Sequence, residues 1–210
     1  MHGADHLARL TGWSGRGPGG VDWTRAEADL RVAVPSDFRE LADRFGTGTF
    51  QGYLDLMPDP RSLASLARRQ LGLLRRERDG PDETDLEEYR LAVELAAQEG
   101  MDPPEDFTAY RTPMPHPLWP EPGGIYPWAM ADTATFFWLR SNPDPRSWPV
   151  VWFHGEDLEW ESFDGTATEF LIALVTGQID TGRLGAPIFP PPPRFDEVVI
   201  GALVPRPGWT

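Results

Sequence analysis

Four carboxylates lie within six residues of this chain: Glu156, Asp157, Glu159 and Glu161. Paired carboxylates can act as general acid and base, and clustered carboxylates attract basic partners. Period-two spacing in a strand would place Glu159 and Glu161 on one face, and we expect Asp132 nearby. Two interpretations follow: an acidic binding edge for a basic partner, or a merely solvated strand face.

The other side chains that commonly catalyse reactions form no motif. The four histidines, His2, His6, His116 and His154, include no HExxH and no other close metal-binding pair. The chain has no cysteine and no GxSxG, and its glycine-rich stretch at 14–20 lacks the Lys-Ser/Thr ending of a phosphate loop. A paired-carboxylate site stays open, but the absence of every motif with a mechanism favours a protein that is not an enzyme. We therefore expect no catalytic residue, no metal and no cofactor.

The balance of acidic and basic residues favours some classes of binding partner over others. The 33 acidic residues outnumber the 19 basic residues, all of them arginine, and the formal net charge is −14. This charge argues against binding nucleic acid, whose affinity for proteins comes from Lys and Arg. It suits a basic protein partner through electrostatic steering, and it equally suits solubility alone.

The sequence also predicts a location. It contains no continuous apolar run of about 18 residues, the length that a membrane-spanning helix requires, and charged residues and glycine interrupt the first 30 residues. The lack of cysteine fits a reducing compartment. We therefore expect a cytoplasmic protein without membrane association.

The elements that must position the acidic residues follow from hydrophobic spacing. The N-terminal quarter predicts a short helix over 4–10, a helix over 25–33 opened by a capping box from Thr24 to Glu27, a helix capped by Ser36 or Asp37, and a strand over 50–56.

Two helices over 62–78 and 84–98 each place apolar residues on one face, and Gly80-Pro81 separates them. Arg75, Arg76 and Arg78 end the first helix, and acidic residues begin the second, so each charge complements a helix dipole. This pattern predicts a helical hairpin that packs by its leucine stripe and leaves the three arginines exposed.

From residue 125 the pattern becomes that of a sheet. Strands are predicted at 125–130, 133–139, 148–153 and 158–163, and their short connections favour one antiparallel meander. The second and third strands are apolar throughout, which is typical of strands covered on both faces, so Trp138 and Trp152 should be buried. Asn142-Pro143-Asp144-Pro145 should form an exposed turn between them.

A second capping box, Thr166 to Glu169, predicts a closing helix, and residues 198–204 predict a last strand at the sheet edge. The order of elements predicts an α+β fold: a single, mainly antiparallel sheet with helices packed against it, plus the helical-hairpin insert.

The second and third predicted helices resemble the opening signature of the SUKH superfamily. The matching residues are Trp23, Ala26-Glu27, Leu30, Val34-Pro35-Ser36-Asp37-Phe38-Arg39-Glu40-Leu41 and Phe45-Gly46. The runs Phe136-Phe137-Trp138 and Asp144-Pro145-Arg146-Ser147-Trp148-Pro149-Val150-Val151 are similar to the family's paired strands, and Phe170-Leu171 to its closing helix. That superfamily contains the yeast cell-wall-assembly regulator and many bacterial toxin-immunity proteins.

The resemblance implies one SUKH-like domain over 1–210. Its core would span about 22–57 and 118–176, with the helical insert at 61–105 and a Pro-rich C-terminal segment at 186–210.

The resemblance also implies a non-catalytic protein-binding domain, an immunity-type inhibitor of a bacterial toxin such as a nuclease. The net charge and the clustered carboxylates, rather than the resemblance, suggest that the partner is a basic toxin domain bound by Glu156, Asp157, Glu159 and Glu161, with Asp132. Two alternatives stay open: a regulatory or scaffold protein without a toxin partner, and an uncharacterised enzyme. The oligomeric state is left open.

Overall fold

The computed structural model describes residues 3–80, 83–104, 114–155, 159–180 and 192–198. The helices in these ranges are α1 (Gly3–Leu10), α2 (Trp23–Leu30), α3 (Ser36–Phe45), α4 (Pro60–Asp79), α5 (Glu83–Glu99) and α6 (Ala167–Val175). The strands are β1 (Gly48–Phe50), β2 (Leu54–Leu56), β3 (Ile125–Met130), β4 (Ala134–Leu139), β5 (Val150–His154), β6 (Glu159–Phe163) and β7 (Phe195–Glu197). A short 3-10 helix, Pro145–Ser147, lies between β4 and β5.

All seven of these strands form one antiparallel sheet, in the order β6-β5-β4-β3-β2-β1-β7. Helices pack against it, so the predicted α+β class is confirmed. The predicted meander is also confirmed, because β3, β4, β5 and β6 are neighbours in chain order. Trp138 and Trp152 are 0% and 3% exposed, as expected for its central strands.

The two inner strands of the meander are apolar throughout because helices cover both of their faces. On one face α1, α3 and α6 pack together: the Phe38 ring of α3 lies 4.9 Å from the Trp138 ring, and the Phe170 ring of α6 lies 5.3 Å from the Phe136 ring. On the other face α4 packs over β3, and its Leu74 lines a cavity together with Phe137. The aromatic runs of the sequence are therefore the middle layer of a three-layer core.

Strand β3 contains a proline in an otherwise regular ladder. Pro127 lies opposite Phe137, and the register shifts between Pro127 and Ala129. Proline has no backbone N–H to donate, which confines it within sheets to edges and bulges. The bulge at this point lets β3 continue as a central strand, with β4 on one side and β2 on the other.

The N-terminal helix caps differ from the predicted ones. Asp22, rather than Thr24, caps α2, since its Oδ1 accepts from the backbone N–H of Arg25 at 3.1 Å. The helix thus begins at Trp23, two residues earlier than predicted, which leaves Thr24 inside the first turn. Glu27 is not part of a capping box and instead accepts from the Val34 N–H and from Arg39 Nη2, both at 2.6 Å.

Helix α3 has Pro35 at its N-cap and no side-chain cap, so the predicted cap by Ser36 or Asp37 is wrong. Asp37 Oδ2 accepts from the Thr168 N–H of α6 at 3.0 Å and so joins two helices instead. The predicted strand over 50–56 is in fact the hairpin β1–β2, because Gln51 and Gly52 adopt positive φ angles of 57° and 64°.

The two helices of the predicted hairpin differ in their packing. Helix α4 buries a leucine stripe of Leu63, Leu66, Leu71 and Leu74. Helix α5 buries Ala96 and leaves Leu91 and Leu95 61% and 56% exposed. The first helix therefore belongs to the sheet core, and the second lies at its periphery.

Of the three arginines predicted to be exposed, only Arg76 is. Arg75 and Arg78 are half-buried, because the C-terminal end of α4 lies against the loop before β3. There Arg75 Nη2 donates to the carbonyl oxygen of Trp119, and Arg78 Nη1 donates to Glu121 Oε1 at 2.7 Å.

The C-terminal segment contributes to the sheet edge earlier than predicted. Strand β7 covers Phe195–Glu197 and pairs with β1, while residues 199–204 lie outside the described residues. Across the described ranges, no helix combines the length and the apolarity needed to cross a membrane.

Candidate functional site

Strand β6 forms one edge of the sheet and carries two of the predicted site residues. Glu159 lies opposite His154 and Glu161 lies opposite Trp152, so both carboxylates are on the same face. Glu159 is exposed, and Glu161 is half-buried. The predicted shared face is thus confirmed, but it is not simply solvated, because its neighbours on β5 are buried.

Packed aromatic side chains support this face of β6. The Trp152 ring lies 5.6 Å from Phe170 of α6, and Phe163 of β6 itself lies 5.7 Å from the same ring. Thr166 and Glu169 form a reciprocal capping box that begins α6, as the sequence predicts. The two carboxylates therefore stand on a strand whose position is set by a packed aromatic layer.

The opposite face of β6 is aromatic. Trp160 is half-buried, and its ring centroid lies 5.0 Å from Phe153, 5.7 Å from Phe137 and 5.6 Å from His116. Burial lowers the pKa of His116, which favours the neutral imidazole beside this ring. We name Glu159, Trp160 and Glu161 with the flanking Phe153 the β6 edge.

Sequence reasoning did not identify this aromatic face as part of the site. The alternation of β6 placed Trp160 away from the carboxylates, but nothing local indicates its contact with His116, which is distant in the sequence. Only the folded chain brings the loop before β3 to the edge strand.

Asp132 lies in the turn between β3 and β4 and is exposed. The backbone N–H of Gly155, the residue after β5, donates to the carbonyl oxygen of Thr133 at 2.8 Å, so this turn contacts the start of the β5–β6 connection. Asp132 and Glu159 therefore lie at the same end of the meander. Asp132 also lines a cavity of about 280 Å³ between α4 and the sheet, together with Phe153.

The charge of Asp132 acts on a neighbouring tyrosine. Burial raises the pKa of Tyr53 to about 12, and the negative charge of Asp132 acts in the same direction. The other two predicted site residues, Glu156 and Asp157, lie outside the described residues. Within the part of the chain that the structure describes, no three His, Asp or Glu side chains are grouped closely enough to hold a metal ion.

Comparison with known proteins identified no relative of the chain: no family model, curated protein or solved structure matches it.

Proposed function

We propose that this protein is a non-catalytic protein-binding domain that inhibits a basic bacterial toxin, as an immunity protein does. The observation that carries the proposal is the β6 edge, where an edge strand presents acidic residues on one face and an aromatic cluster on the other. The resemblance of the chain to the SUKH superfamily supports the same class of function.

The β6 edge has the chemistry of a protein-binding surface. Interfaces are enriched in tryptophan and other aromatic residues, and their energetically dominant residues are large aromatics surrounded by polar groups. Trp160 would supply such an anchor, and Glu159 and Glu161 would supply the charges that attract a basic partner. Because an edge strand also presents unpaired backbone groups, a strand of the partner can add to the sheet there.

The test is charge reversal on this strand. Glu159→Arg combined with Glu161→Arg should weaken binding to the cognate partner by roughly 2–5 kcal/mol if these carboxylates are desolvated in the complex. Products of the genes next to the gene for this protein are the candidate partners to screen first, and binding is measured by isothermal titration calorimetry.

A matched control lies on the opposite edge of the same sheet. Asp196→Arg combined with Glu197→Arg on β7 changes the net charge equally at two exposed positions and should leave affinity nearly unchanged. If the β6 and β7 variants bind equally well, the β6 edge is not the interface. Helix α5, with exposed Leu91 and Leu95, then becomes the next surface to test.

A cellular assay separates inhibition from scaffolding. Co-expression of the protein with the toxin should restore growth, and the β6 double reversal should abolish this protection. A partner that binds through the β6 edge but has no toxicity would favour the alternative, a regulatory or scaffold protein.

A further inference from the structure

A second candidate site lies at the other end of the meander, where one half-buried arginine has donors without an acceptor in the described part of the chain. Five arginines are half-buried within the described residues: Arg39, Arg44, Arg75, Arg78 and Arg140. The first four donate to a carboxylate or to backbone carbonyl oxygens. Arg140 differs, since its Nε and Nη1 are shielded from solvent and have no hydrogen-bond partner among the residues that the structure describes.

Leaving such donors unsatisfied is costly. A buried polar group without a partner loses the hydrogen bonds that water gives it in the unfolded chain, and a charged group loses more. Burial also lowers the pKa of Arg140, which reflects the loss of solvation around the cation. The chain has 33 acidic residues that could pair with an arginine. A partly desolvated arginine that pairs with no carboxylate in the described part of the chain therefore indicates a site for a negatively charged ligand.

Arg140 lines an open cleft of about 510 Å³ between two connections of the fold. One wall is the β4–β5 connection, with Asn142 and Trp148, and the other is the α2–α3 connection, with Arg31. This volume lies in the range of sites for small molecules, about 300–1,000 Å³.

Contacts within the β4–β5 connection hold this wall of the cleft in place. The guanidinium carbon of Arg140 lies 5.7 Å from the centre of the Trp148 ring, a cation–π arrangement. Trp148 Nε1 donates to the carbonyl oxygen of Asn142 at 2.7 Å, and Asn142 Oδ1 accepts from the Asp144 N–H and from Ser147 Oγ, both at 2.9 Å. Arg140 is thus held against a rigid loop.

The α2–α3 wall adds a second cation. Arg31 is exposed and adopts a left-handed backbone conformation with φ 54°, at a C-cap position that favours glycine or asparagine. Glu27 also lines the cleft, but its carboxylate is bound to Arg39 at 2.6 Å. The charge of Glu27 is therefore balanced by Arg39, and the charges of Arg31 and Arg140 give the cleft a positive balance.

We propose that this cleft binds a small oxyanion, a carboxylate or a phosphate group, between Arg140 and Arg31. The planar guanidinium group matches both ligands, since it donates two parallel hydrogen bonds to either. An oxyanion in the cleft would supply an acceptor for the Arg140 guanidinium, whose Nε and Nη1 have none within the described ranges. The site is separate from the carboxylates of the β6 edge. Arg140 follows the C-terminal end of β4, whereas Glu159 and Glu161 lie level with the N-terminal half of β4 and two strands away from it.

The experiment is a titration of the full-length protein with sodium phosphate and, separately, with sodium succinate, at ionic strength held constant with sodium chloride. Nitrogen-15 NMR follows the indole N–H of Trp148 and the Nε–H of Arg140. Saturable shifts of both signals are expected, and the anion that saturates at the lower concentration identifies the preferred class.

Three variants localise the binding. Arg140→Gln and Arg31→Gln should each weaken it by about tenfold or more, the effect of one lost charged hydrogen bond. Arg25→Gln in α2, the helix that Arg31 follows, is the matched control, since Arg25 is exposed, does not line the cleft and should have no effect. If Arg140→Gln fails to fold, Arg31→Gln decides, because Arg31 is exposed.

Several outcomes would overturn the proposal. One is a linear, unsaturated shift that chloride reproduces, and another is unchanged binding in both cleft variants. A third is binding of an aspartate-rich peptide, but of neither small anion, that depends on Arg140. That result would assign the cleft to an acidic protein segment instead.

Discussion

At the scale of single residues, the fold places several ionisable groups where water cannot solvate them well. Tyr126 is 1% exposed in the middle of the sheet, where its ring stacks on Trp138 at 6.1 Å. Burial raises the pKa of Tyr126 to about 12, as it does for Tyr53. Both side chains therefore favour the neutral form in the folded protein.

This shift predicts a loss of stability at alkaline pH. The unfolded chain ionises its tyrosines near pH 10, whereas Tyr53 and Tyr126 in the folded chain resist ionisation up to about pH 12. The stabilisation of the neutral form is complete below pH 10, and the free energy of unfolding should fall as the pH rises from about 10 to about 12. Urea denaturation across this range measures the effect.

Replacing Tyr53 by Phe should make this decline shallower, since one group that ionises more easily in the unfolded chain is removed. Absorbance at 295 nm gives an independent check. If every tyrosine of the folded protein has ionised by pH 11, the proposed environment of Tyr53 and Tyr126 is wrong.

At the scale of elements, two segments with the capping-box sequence form different hydrogen bonds. Thr166 and Glu169 make both hydrogen bonds of a capping box at the start of α6, while Thr24 and Glu27 do not, because Asp22 caps α2 and Glu27 ties the following connection. The local pattern is identical in type. Which side chain caps a helix depends on the residue at which the helix begins and on which other donors lie within reach of that side chain.

A pair of alanine substitutions tests this difference. Thr166→Ala should lower the free energy of unfolding by about 0.5–2 kcal/mol, the usual effect of losing an N-cap. Thr24→Ala is the matched control and should change it by less than about 0.5 kcal/mol, as expected for an exposed residue. Chemical denaturation monitored by tryptophan fluorescence measures both. Equal losses would show that Thr24 also caps its helix.

At the scale of the whole molecule, charge is distributed unevenly. The chain carries a net charge of −14, but the cleft lined by Arg31 and Arg140 at one end of the meander has a positive balance. The acidic residues of the β6 edge lie toward the other end. A basic partner would be attracted by the overall field, while a small anion would be retained only where arginines overcome that field locally.

The overall field predicts how fast the proposed partner binds. Its association rate constant should fall by about tenfold or more as ionic strength rises from 0.1 M to 1 M, because the Debye length shortens from about 10 Å to about 3 Å. Stopped-flow mixing at several salt concentrations measures the slope. The double reversal of Glu159 and Glu161 should flatten it, and a slope that is the same for both proteins would exclude steering by these residues.

The sequence by itself determined the elements and much of the fold. The four strands of the meander, the burial of Trp138 and Trp152 and the cap of α6 follow from apolar runs, turn residues and a local hydrogen-bonding pattern. These features depend on neighbours within a few residues, so they can be recognised along the chain. The shared face of Glu159 and Glu161 follows in the same way from the period of a strand.

Only the tertiary structure decided what these elements bring together. His116 contacts Trp160, and Arg140 faces the connection that contains Arg31. Asp37 does not cap its own helix but accepts from the backbone N–H of Thr168 in the first turn of α6. All three contacts join residues that are far apart in sequence. Such contacts depend on how the layers pack, and no local period encodes them. Which arginines find an acceptor likewise depends on this packing, and in the described part of the chain the Nε and Nη1 of Arg140 find none.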